Sequence, residues 1–169
     1  MDALQAISTR RSIRAFTAEP VSDADLDIVL HAAMAAPSAS NERPWRFLVT
    51  RESGLRERLA NATPFAKPLL TASVGIVVCA DTRALKHEGF WVIDCSAAIE
   101  NLLLAAHALG LGAVWMGVHP HPELSASVRA VVALPDGIEP HSMIALGHPA
   151  EERPPMDRYD ASFIHVDRW

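Results

Sequence analysis

The stretch that most constrains this 169-residue chain is residues 91–109, which are apolar on nearly every face of the helix that their spacing predicts. A helix of this kind is buried on most sides, so we expect it to lie at the centre of the fold. Gly110 follows it and is the expected C-terminal stop. Four polar residues within it are expected to be interface groups or satisfied core groups rather than catalysts; they are Asp94, Glu100, Asn101 and His107.

Strands are predicted on either side of this helix. Val74–Ala80 is β-favouring except for one glycine and is typical of a strand covered on both faces. Gly112–Val118 is the next strand candidate. Elsewhere the spacing of apolar residues predicts a strand over 45–50 and helices over 2–9, 52–62 and 123–131. A further helix begins at the N-cap Ser22 and ends before Pro37.

The C-terminal part of the chain is less regular. A final apolar stretch runs from Met143 to Gly147, and residues 150–169 are then rich in proline and charge. Within this tail, Phe163–Val166 predicts a short strand with no partner close in sequence.

Composition excludes several classes of partner. Half of the residues are hydrophobic and 21% are charged, as in one ordinary globular domain. A formal net charge of −5 provides no general attraction for nucleic acid or an anionic membrane. The apolar stretch Leu69–Ala80 is too short to span a bilayer. Cys79 and Cys95 lie in apolar surroundings, which favours buried thiols in a reducing compartment. We therefore expect a soluble, cytoplasmic protein.

Three arginines stand close together near the N-terminus, in Arg10-Arg11-Ser12-Ile13-Arg14, which we call the arginine segment. A compact basic cluster with a hydroxyl inside it, on an acidic chain, suits a small anion better than a polyanion. Guanidinium groups bind phosphate oxygens in pairs and stay charged at any working pH. The alternative is that the arginines only cover the C-terminal end of a short helix.

A polar loop bounded by prolines, Pro37–Pro44, precedes the strand that begins at Trp45. Its small side chains would let a planar ligand approach the backbone, and its Ser and Asn side chains offer hydrogen-bonding groups. The alternative is a connecting loop in which these residues only close turns. His119 and His121 are spaced so that they could hold a metal, but only Glu123 extends the ligand set. No metal site is expected.

In order and spacing, these pieces resemble the nitroreductase family of flavin enzymes. The resemblance covers almost the whole chain, which looks like one of the shorter members. It is carried by the arginine segment with Phe16, the Pro37–Trp45 stretch, the helix from Asp94 to Gly112, the strand end Trp115-Met116-Gly117, the Leu146–Glu151 segment and the closing Arg168-Trp169.

The resemblance implies a single FMN-binding domain over residues 1–169 with an α+β fold, a mixed or antiparallel sheet flanked by helices. It also implies an intertwined homodimer in which the tail, residues 150–169, reaches the partner subunit. One FMN would then lie at each of two sites in the subunit interface.

The resemblance further implies which residues hold the FMN. Its phosphate, ribityl and pyrimidine side would be lined by Arg10, Arg11, Ser12 and Arg14, and Arg158 would return to the phosphate. From the other subunit would come Pro37, Ser38, Ala39 and Asn41. The backbone N–H groups of Met116 and Gly117 would face the N5 and O4 edge. Arg14 is the candidate positive group near N1 and O2 that favours flavin reduction.

Two departures from the family pattern bear on substrate choice. Arg43 stands where a glutamine usually precedes the Pro-Trp pair. Met156 stands where longer relatives often have a second basic phosphate ligand, for which Arg153 is the candidate substitute. The long insertion that shapes the pocket of larger members is also missing.

The expected function is that of an FMN-dependent NAD(P)H oxidoreductase with NADH or NADPH as the reductant. It would reduce nitroaromatic, quinone or similar small electrophilic acceptors by ping-pong hydride transfer. No catalytic side chain is expected because the flavin N5 carries the hydride, and Arg43 and Trp115 would shape the substrate pocket. The alternatives are a flavin-binding or storage protein without turnover, and a family relative that remodels flavin or dehalogenates its substrate.

Overall fold

The computed structural model describes all 169 residues and contains five α-helices and four β-strands. The helices are α1 (Ala3–Thr9), α2 (Asp23–Met34), α3 (Ser53–Ala62), α4 (Phe90–Ala108) and α5 (Pro122–Val132). The strands are β1 (Trp45–Thr50), β2 (Val74–Asp81), β3 (Gly112–Gly117) and β4 (Ile138–Gly147). Short 3₁₀ turns lie at Ala39–Asn41, Lys67–Leu70 and Ala161–Phe163.

The strands form one antiparallel sheet in the order β1-β2-β4-β3. β2 lies in the interior of this sheet and is buried along almost its whole length, as its sequence predicted. Its side chains alternate between the two faces of the sheet, with Ile76 and Val78 on one face and Val77 and Cys79 on the other. The α+β class is thus confirmed, with an antiparallel sheet.

Helices cover both faces of the sheet and complete two hydrophobic cores. α2 and α4 pack on one face, where Val29 and Leu102 are fully buried. α3 and α5 cover the other face, together with the Lys67–Leu70 turn, around Leu59 and Val128. The chain therefore has three layers, with the sheet between α2 and α4 on one face and α3 and α5 on the other.

α4 has the length predicted for the apolar helix, but its burial is incomplete. One side packs against α2 and the sheet through residues such as Ile99 and Leu102. On the opposite side Phe90 is 49% exposed and Ile93 is 63% exposed. By length and composition alone α4 could also cross a membrane, a criterion that the core helix of a soluble protein meets equally. The expectation of burial on nearly every side does not hold within a single chain.

The tail also differs from its prediction, because Phe163–Val166 is not a strand. Ala161–Phe163 is a 3₁₀ turn in which the Asp160 carboxylate accepts a hydrogen bond from the Ser162 N–H at 2.9 Å. A strand needs a neighbour for its backbone N–H and C=O groups, and the chain places none beside this segment. Its apolar side chains are exposed, with Phe163 at 80% and Trp169 at 99%.

Candidate functional site

The arginine segment lies along the outer edge of β3. The Ile13 N–H donates to the carbonyl oxygen of Ala113 at 3.0 Å, and Ser12 forms a β-bridge with Ala113. Further along, the Thr17 N–H donates to the carbonyl oxygen of His148 at 2.9 Å. Backbone hydrogen bonds therefore attach the segment to the sheet, and its charged side chains are left for other contacts.

Two glycines that pair across β3 and β4, Gly112 and Gly147, allow this close approach. A Cβ on Gly112 would lie 2.7 Å from Cγ2 of Ile13, and a Cβ on Gly147 would lie 3.0 Å from Cδ1 of Phe16. Non-bonded carbon atoms are most stable about 3.5–4.0 Å apart. A side chain at Gly112 would thus push the arginine segment away from the sheet.

α4 supports the same segment through two of its polar side chains. Nε of Arg10 donates to Oε1 of Glu100 at 3.1 Å, and the Thr9 hydroxyl lies 2.8 Å from Nε2 of His107. Burial and the nearby charge of Arg10 lower the pKa of His107. Both side chains are satisfied groups, as predicted. Because Glu100 takes Nε of Arg10, the two terminal nitrogens of that guanidinium remain available to a ligand.

One cavity brings together three of the arginines predicted to bind phosphate. Arg10, Arg11 and Arg158 line a cavity of about 460 Å³, here called the arginine cavity, which residues 155–158 of the tail help to enclose. The Arg11 guanidinium also donates to the carbonyl oxygen of Pro154, which ties the tail to the arginine segment. Residues almost 150 positions apart in the sequence thus meet at one site.

Ser12 and Arg14 are not part of this lining. The Arg14 N–H donates to Oε1 of Glu151 at 2.6 Å, while its side chain is exposed. Arg153 pairs with the same carboxylate, with Nη2 and Oε2 2.6 Å apart. Hydrogen bonds from the Arg14 N–H and then from Arg153 lower the pKa of Glu151. The charge of Arg153 is therefore balanced within the chain, and Arg153 does not line the arginine cavity.

The Pro37–Pro44 loop adopts an unusual backbone conformation. Ser40, Asn41 and Arg43 have φ angles of 48°, 56° and 50°, in the left-handed region that residues other than glycine seldom occupy. The Ala39 N–H donates to Oδ1 of Asp94 in α4 at 3.0 Å. The loop is therefore a built structure and not a simple connection.

The predicted ligands of this loop differ in exposure. Pro37 and Asn41 are exposed, and Ser38 and Ala39 are half-buried. The Ser38 hydroxyl accepts a hydrogen bond from the Arg43 N–H at 3.0 Å. Ser40 and Asn41 line a second cavity of about 460 Å³. None of the loop residues lines the arginine cavity of the same chain.

At the end of β3, the backbone N–H groups of the two residues predicted to face the flavin point in opposite directions. The N–H and C=O of a residue in an antiparallel strand point to the same side, and this side alternates along the strand. Since the Ala113 carbonyl faces outward to Ile13, the Gly117 N–H also faces outward, and the Met116 N–H faces β4. Gly117 is exposed and Met116 is buried. Gly117 is thus the donor on the open edge.

Comparison with known proteins identifies the family. The nitroreductase family profile matches residues 7–72 and 64–148, which is most of the chain and includes the arginine segment, the loop, α4 and β3. The chain belongs to the nitroreductase family.

Individual relatives match nearly the whole of this chain. A Methanothermobacter thermautotrophicus protein, provisionally named NADH dehydrogenase/NAD(P)H nitroreductase, is 44% identical over 100% of this chain and 88% of its own. A solved structure from Parabacteroides distasonis with the same provisional name is 40% identical, with a TM-score of 0.93 over 98% of both chains. A nitroreductase structure from Desulfovibrio desulfuricans in complex with FMN is 36% identical, with a TM-score of 0.86 over 100% and 99% of the chains.

An aromatic cluster near the start of α4 was missed by the sequence reasoning. Rings of Trp115 and His141 lie 5.8 Å apart, and rings of Trp91 and His119 lie 4.7 Å apart. His141 is buried, and its Nε2 donates to the carbonyl oxygen of Val92 at 3.1 Å. Burial lowers the pKa of His141 to about 4, although this hydrogen bond opposes the shift. The sequence gives no sign of this cluster, because its members are distant along the chain. Trp91 lies in α4, Trp115 in β3, His119 just after β3 and His141 in β4.

The remaining candidates lie apart from this cluster. Arg43, predicted for the substrate pocket with Trp115, is an exposed residue of the loop. His121 lies 3.6 Å from Glu123 on the surface. No group of three or more His, Cys, Asp and Glu side chains in this nitroreductase is placed to hold a metal ion.

Proposed function

We propose that this protein is an FMN-dependent oxidoreductase that uses NADH or NADPH to reduce nitroaromatic, quinone or similar electrophilic acceptors. The observation that carries the proposal is the meeting of Arg10, Arg11 and Arg158 around the arginine cavity. The names of the relatives support the NAD(P)H part, and the FMN complex of the Desulfovibrio protein supports the cofactor.

The residues present fit the phosphate end of FMN. A phosphate carries close to two negative charges and accepts several hydrogen bonds, which forked guanidinium groups supply. Arg158 takes part in none of the eight ion pairs of the chain, so its charge is available. Three guanidinium groups in one lining suit a phosphate better than an uncharged ring. Arg10, Arg11 and Arg158 would therefore bind the phosphate, with Ser12 and Arg14 further along the cofactor.

The residues predicted to contact the FMN ring do not all lie beside the arginine cavity of one chain. The Gly117 N–H on the free edge of β3 would donate to the N5 and O4 edge, with Met116 next to it. The Pro37–Pro44 loop, whose ring-facing residues would be Pro37, Ser38, Ala39 and Asn41, lies outside the arginine cavity of its own chain. A second copy of the chain would bring its own loop to the ring.

Exposed apolar side chains support this homodimer. Leu4 and Ile7 of α1 are 79% and 61% exposed, on the helix whose only buried residue is Ala6. A mostly apolar groove of about 430 Å³ lies between α1, α2 and α4. Contiguous apolar patches of this kind mark contact surfaces in soluble proteins. The tail, with its exposed Phe163 and Trp169, would cover part of the partner.

The protein's own part in the reaction is to bind and orient. When bound, FMN would supply the hydride acceptor and donor. No thiol competes with this chemistry, because burial raises the pKa of Cys79 and Cys95 to about 12 and thiolates are the reactive form. Arg14 would place positive charge near the pyrimidine edge and favour reduction. Arg43 and Trp115 would shape the space that the reactants enter.

The test is anaerobic reduction of the FMN-loaded protein. Addition of NADH or NADPH is expected to bleach the flavin absorbance, and a quinone or nitroaromatic compound should restore it. If the nicotinamide and the acceptor use the same space in turn, double-reciprocal plots will give parallel lines. Intersecting lines would contradict the shared space. A protein that binds FMN but is bleached by neither nicotinamide would be a flavin-binding protein without turnover.

A further inference from the structure

A buried carboxylate in α4, Asp94, is only partly satisfied in the chain. It is 4% exposed, and its Oδ1 accepts the Ala39 N–H at 3.0 Å. Its other oxygen, Oδ2, is buried and has no hydrogen-bond partner. Burying an acidic group with incomplete pairing lowers stability unless something else compensates. Asp94 therefore calls for an explanation beyond packing.

The loop that Asp94 contacts needs an anchor. Ser40, Asn41 and Arg43 all occupy the left-handed region of φ, which is unfavourable for residues other than glycine and persists only when surrounding contacts impose it. His87 and Glu42 make other hydrogen bonds at the loop, but both lie toward the surface. Asp94 is the buried side chain that ties the loop to the core.

We propose that Asp94 is a positioning residue for the flavin ring, which it acts on through the Pro37–Pro44 loop. It fixes Ala39 and thereby holds Ser38 and Asn41 in the shape that contacts the ring of the FMN bound mainly by the second copy. This inference rests on the proposed FMN function. It assigns to α4 a second task, since Glu100 of the same helix holds Arg10 at the phosphate end.

Asn101 provides a matched control. It lies seven residues after Asp94, about two turns along the same helix face, and its Nδ2 donates to the carbonyl oxygen of Ala32 in α2 at 3.1 Å. Both side chains tie α4 to a neighbouring backbone, but only Asp94 reaches the loop. Asn101 also lines the apolar groove between α1, α2 and α4, so its variant is compared at concentrations where light scattering shows a dimer. There Asn101→Ala should lower thermal stability and leave flavin affinity unchanged.

The first experiment measures FMN and riboflavin affinities of the full chain by fluorescence titration. Asp94→Ala should weaken both about tenfold, because a lost hydrogen bond to a charged group is of this size and the phosphate contacts are intact. Asp94→Asn keeps an oxygen for the Ala39 N–H and should stay within about threefold of the natural protein. Equal FMN affinity in Asp94→Ala, an equal loss in Asn101→Ala, or no recovery in Asp94→Asn would each overturn the proposal. Failure of the natural protein to bind FMN would instead refute the proposed function.

A second variant removes the same hydrogen bond from the loop side, in case Asp94→Ala does not fold. Ala39→Pro deletes the donor N–H, and Ser38 before it already has the extended backbone that precedes proline, with φ −143° and ψ 155°. It should weaken FMN and riboflavin binding together, as Asp94→Ala does. Undiminished binding of both flavins would overturn the proposal.

A complementation experiment tests the action across subunits. In a mixed dimer of Asp94→Ala and Arg10→Ala chains, one site carries both changes and the other carries neither. Each variant alone should bind little FMN at a limiting concentration, whereas co-expressed, tag-purified mixed dimers should bind about one FMN per dimer. No recovery in mixed dimers would mean that Asp94 acts on the flavin of its own chain, and would overturn the proposal.

Discussion

The arginine segment and the Pro37–Pro44 loop are two halves of the candidate site that are held in different ways. The segment runs beside β3, hydrogen-bonded to its backbone, with Ile13 packed on Gly112 and the following Phe16 packed on Gly147. The loop contains three left-handed residues, and its buried tie is the single carboxylate of Asp94. The half proposed for the phosphate is therefore fixed by backbone hydrogen bonds to the sheet, whereas the half proposed for the ring depends on a few side chains that can be changed separately.

Deletion of residues 159–169 should have the largest effect, because both halves are expected to meet only in a dimer. The shortened chain keeps Arg158 but loses the exposed apolar end of the tail. We expect it to be largely monomeric by light scattering and to lose its flavin on gel filtration. A well-folded, flavin-loaded monomer would contradict the proposed assembly.

Arg158→Ala should disable the phosphate half alone. Loss of a charge-paired hydrogen bond in a binding site weakens affinity by at least about thirtyfold, so FMN should dissociate while riboflavin affinity stays the same. Arg10→Ala is expected to act likewise and also to leave Glu100 without its partner. Equal binding of FMN and riboflavin by the natural protein would remove the phosphate role of these arginines.

Acid should weaken the packing at the start of α4, where His141 contacts Val92 and Asp94 contacts the Pro37–Pro44 loop. The pKa of His141 is 6.5 in an unfolded reference and about 4 in the fold. Between these values the unfolded chain binds more protons, so the free energy of unfolding falls as pH falls from 6.5 to 4 and is unaffected by His141 above that range. The loss amounts to roughly 3 kcal/mol below pH 4.

Urea unfolding as a function of pH measures this contribution. His141→Gln should flatten the slope between pH 6.5 and 4. An unchanged slope in His141→Gln would show that the histidine titrates normally.

Gly112→Ala should displace the arginine segment without changing any charge. Crowding against Ile13 is expected to cost about 1–3 kcal/mol of unfolding free energy and to weaken FMN binding. Adding Ile13→Ala should recover most of both losses. Gly54 in α3 is the control, since its added Cβ would meet neighbours at ordinary distances of 3.5 Å and more. A fully active Gly112→Ala protein would show that the segment can move without loss.

Arg43→Gln and Trp115→Phe should have the smallest effect, a change of a few fold in the ratio of kcat/KM for a quinone and a nitroaromatic compound. These side chains shape access and orientation, so the rate of flavin reduction by nicotinamide should hardly change. If the rate of flavin reduction by nicotinamide fell as much as kcat/KM for the acceptors, these side chains would act on hydride transfer itself.

The elements that could be predicted from the sequence are those with local causes. The Ser22 hydroxyl does cap α2 by accepting the Asp25 N–H at 3.0 Å, and the continuous apolar run of β2 does mark an interior strand. β4 is longer than the apolar stretch from Met143, because Ile138–Ser142 also pairs with β2 despite its polar residues and a register shift. Phe163–Val166 fails as a strand since pairing depends on a neighbour that spacing cannot specify.

In the candidate site, too, features with a local cause could be predicted and contacts between distant residues could not. The arginine segment stood out by its charge, and Arg158 was linked to it only by family resemblance. Neither the Asp94–Ala39 hydrogen bond nor the contacts of Trp91 and His119 had a signal, because each joins elements that are distant in the sequence. The sequence predicts that Asp94 is an interface or satisfied core group, whereas in the fold its Oδ2 has no hydrogen-bond partner.

The close packing of Ile13 on Gly112 and of Phe16 on Gly147 has a consequence for evolution. Gly112 tolerates no side chain while Ile13 lies against it, and Gly147 is similarly limited by Phe16. A descendant that gains a methyl group at position 112 can keep its arginines in place only by shortening residue 13. Substitutions at 13 and 112, and at 16 and 147, should therefore covary across descendants of this chain. Such paired changes would trace the path of the N-terminal segment in relatives whose structures have not been solved.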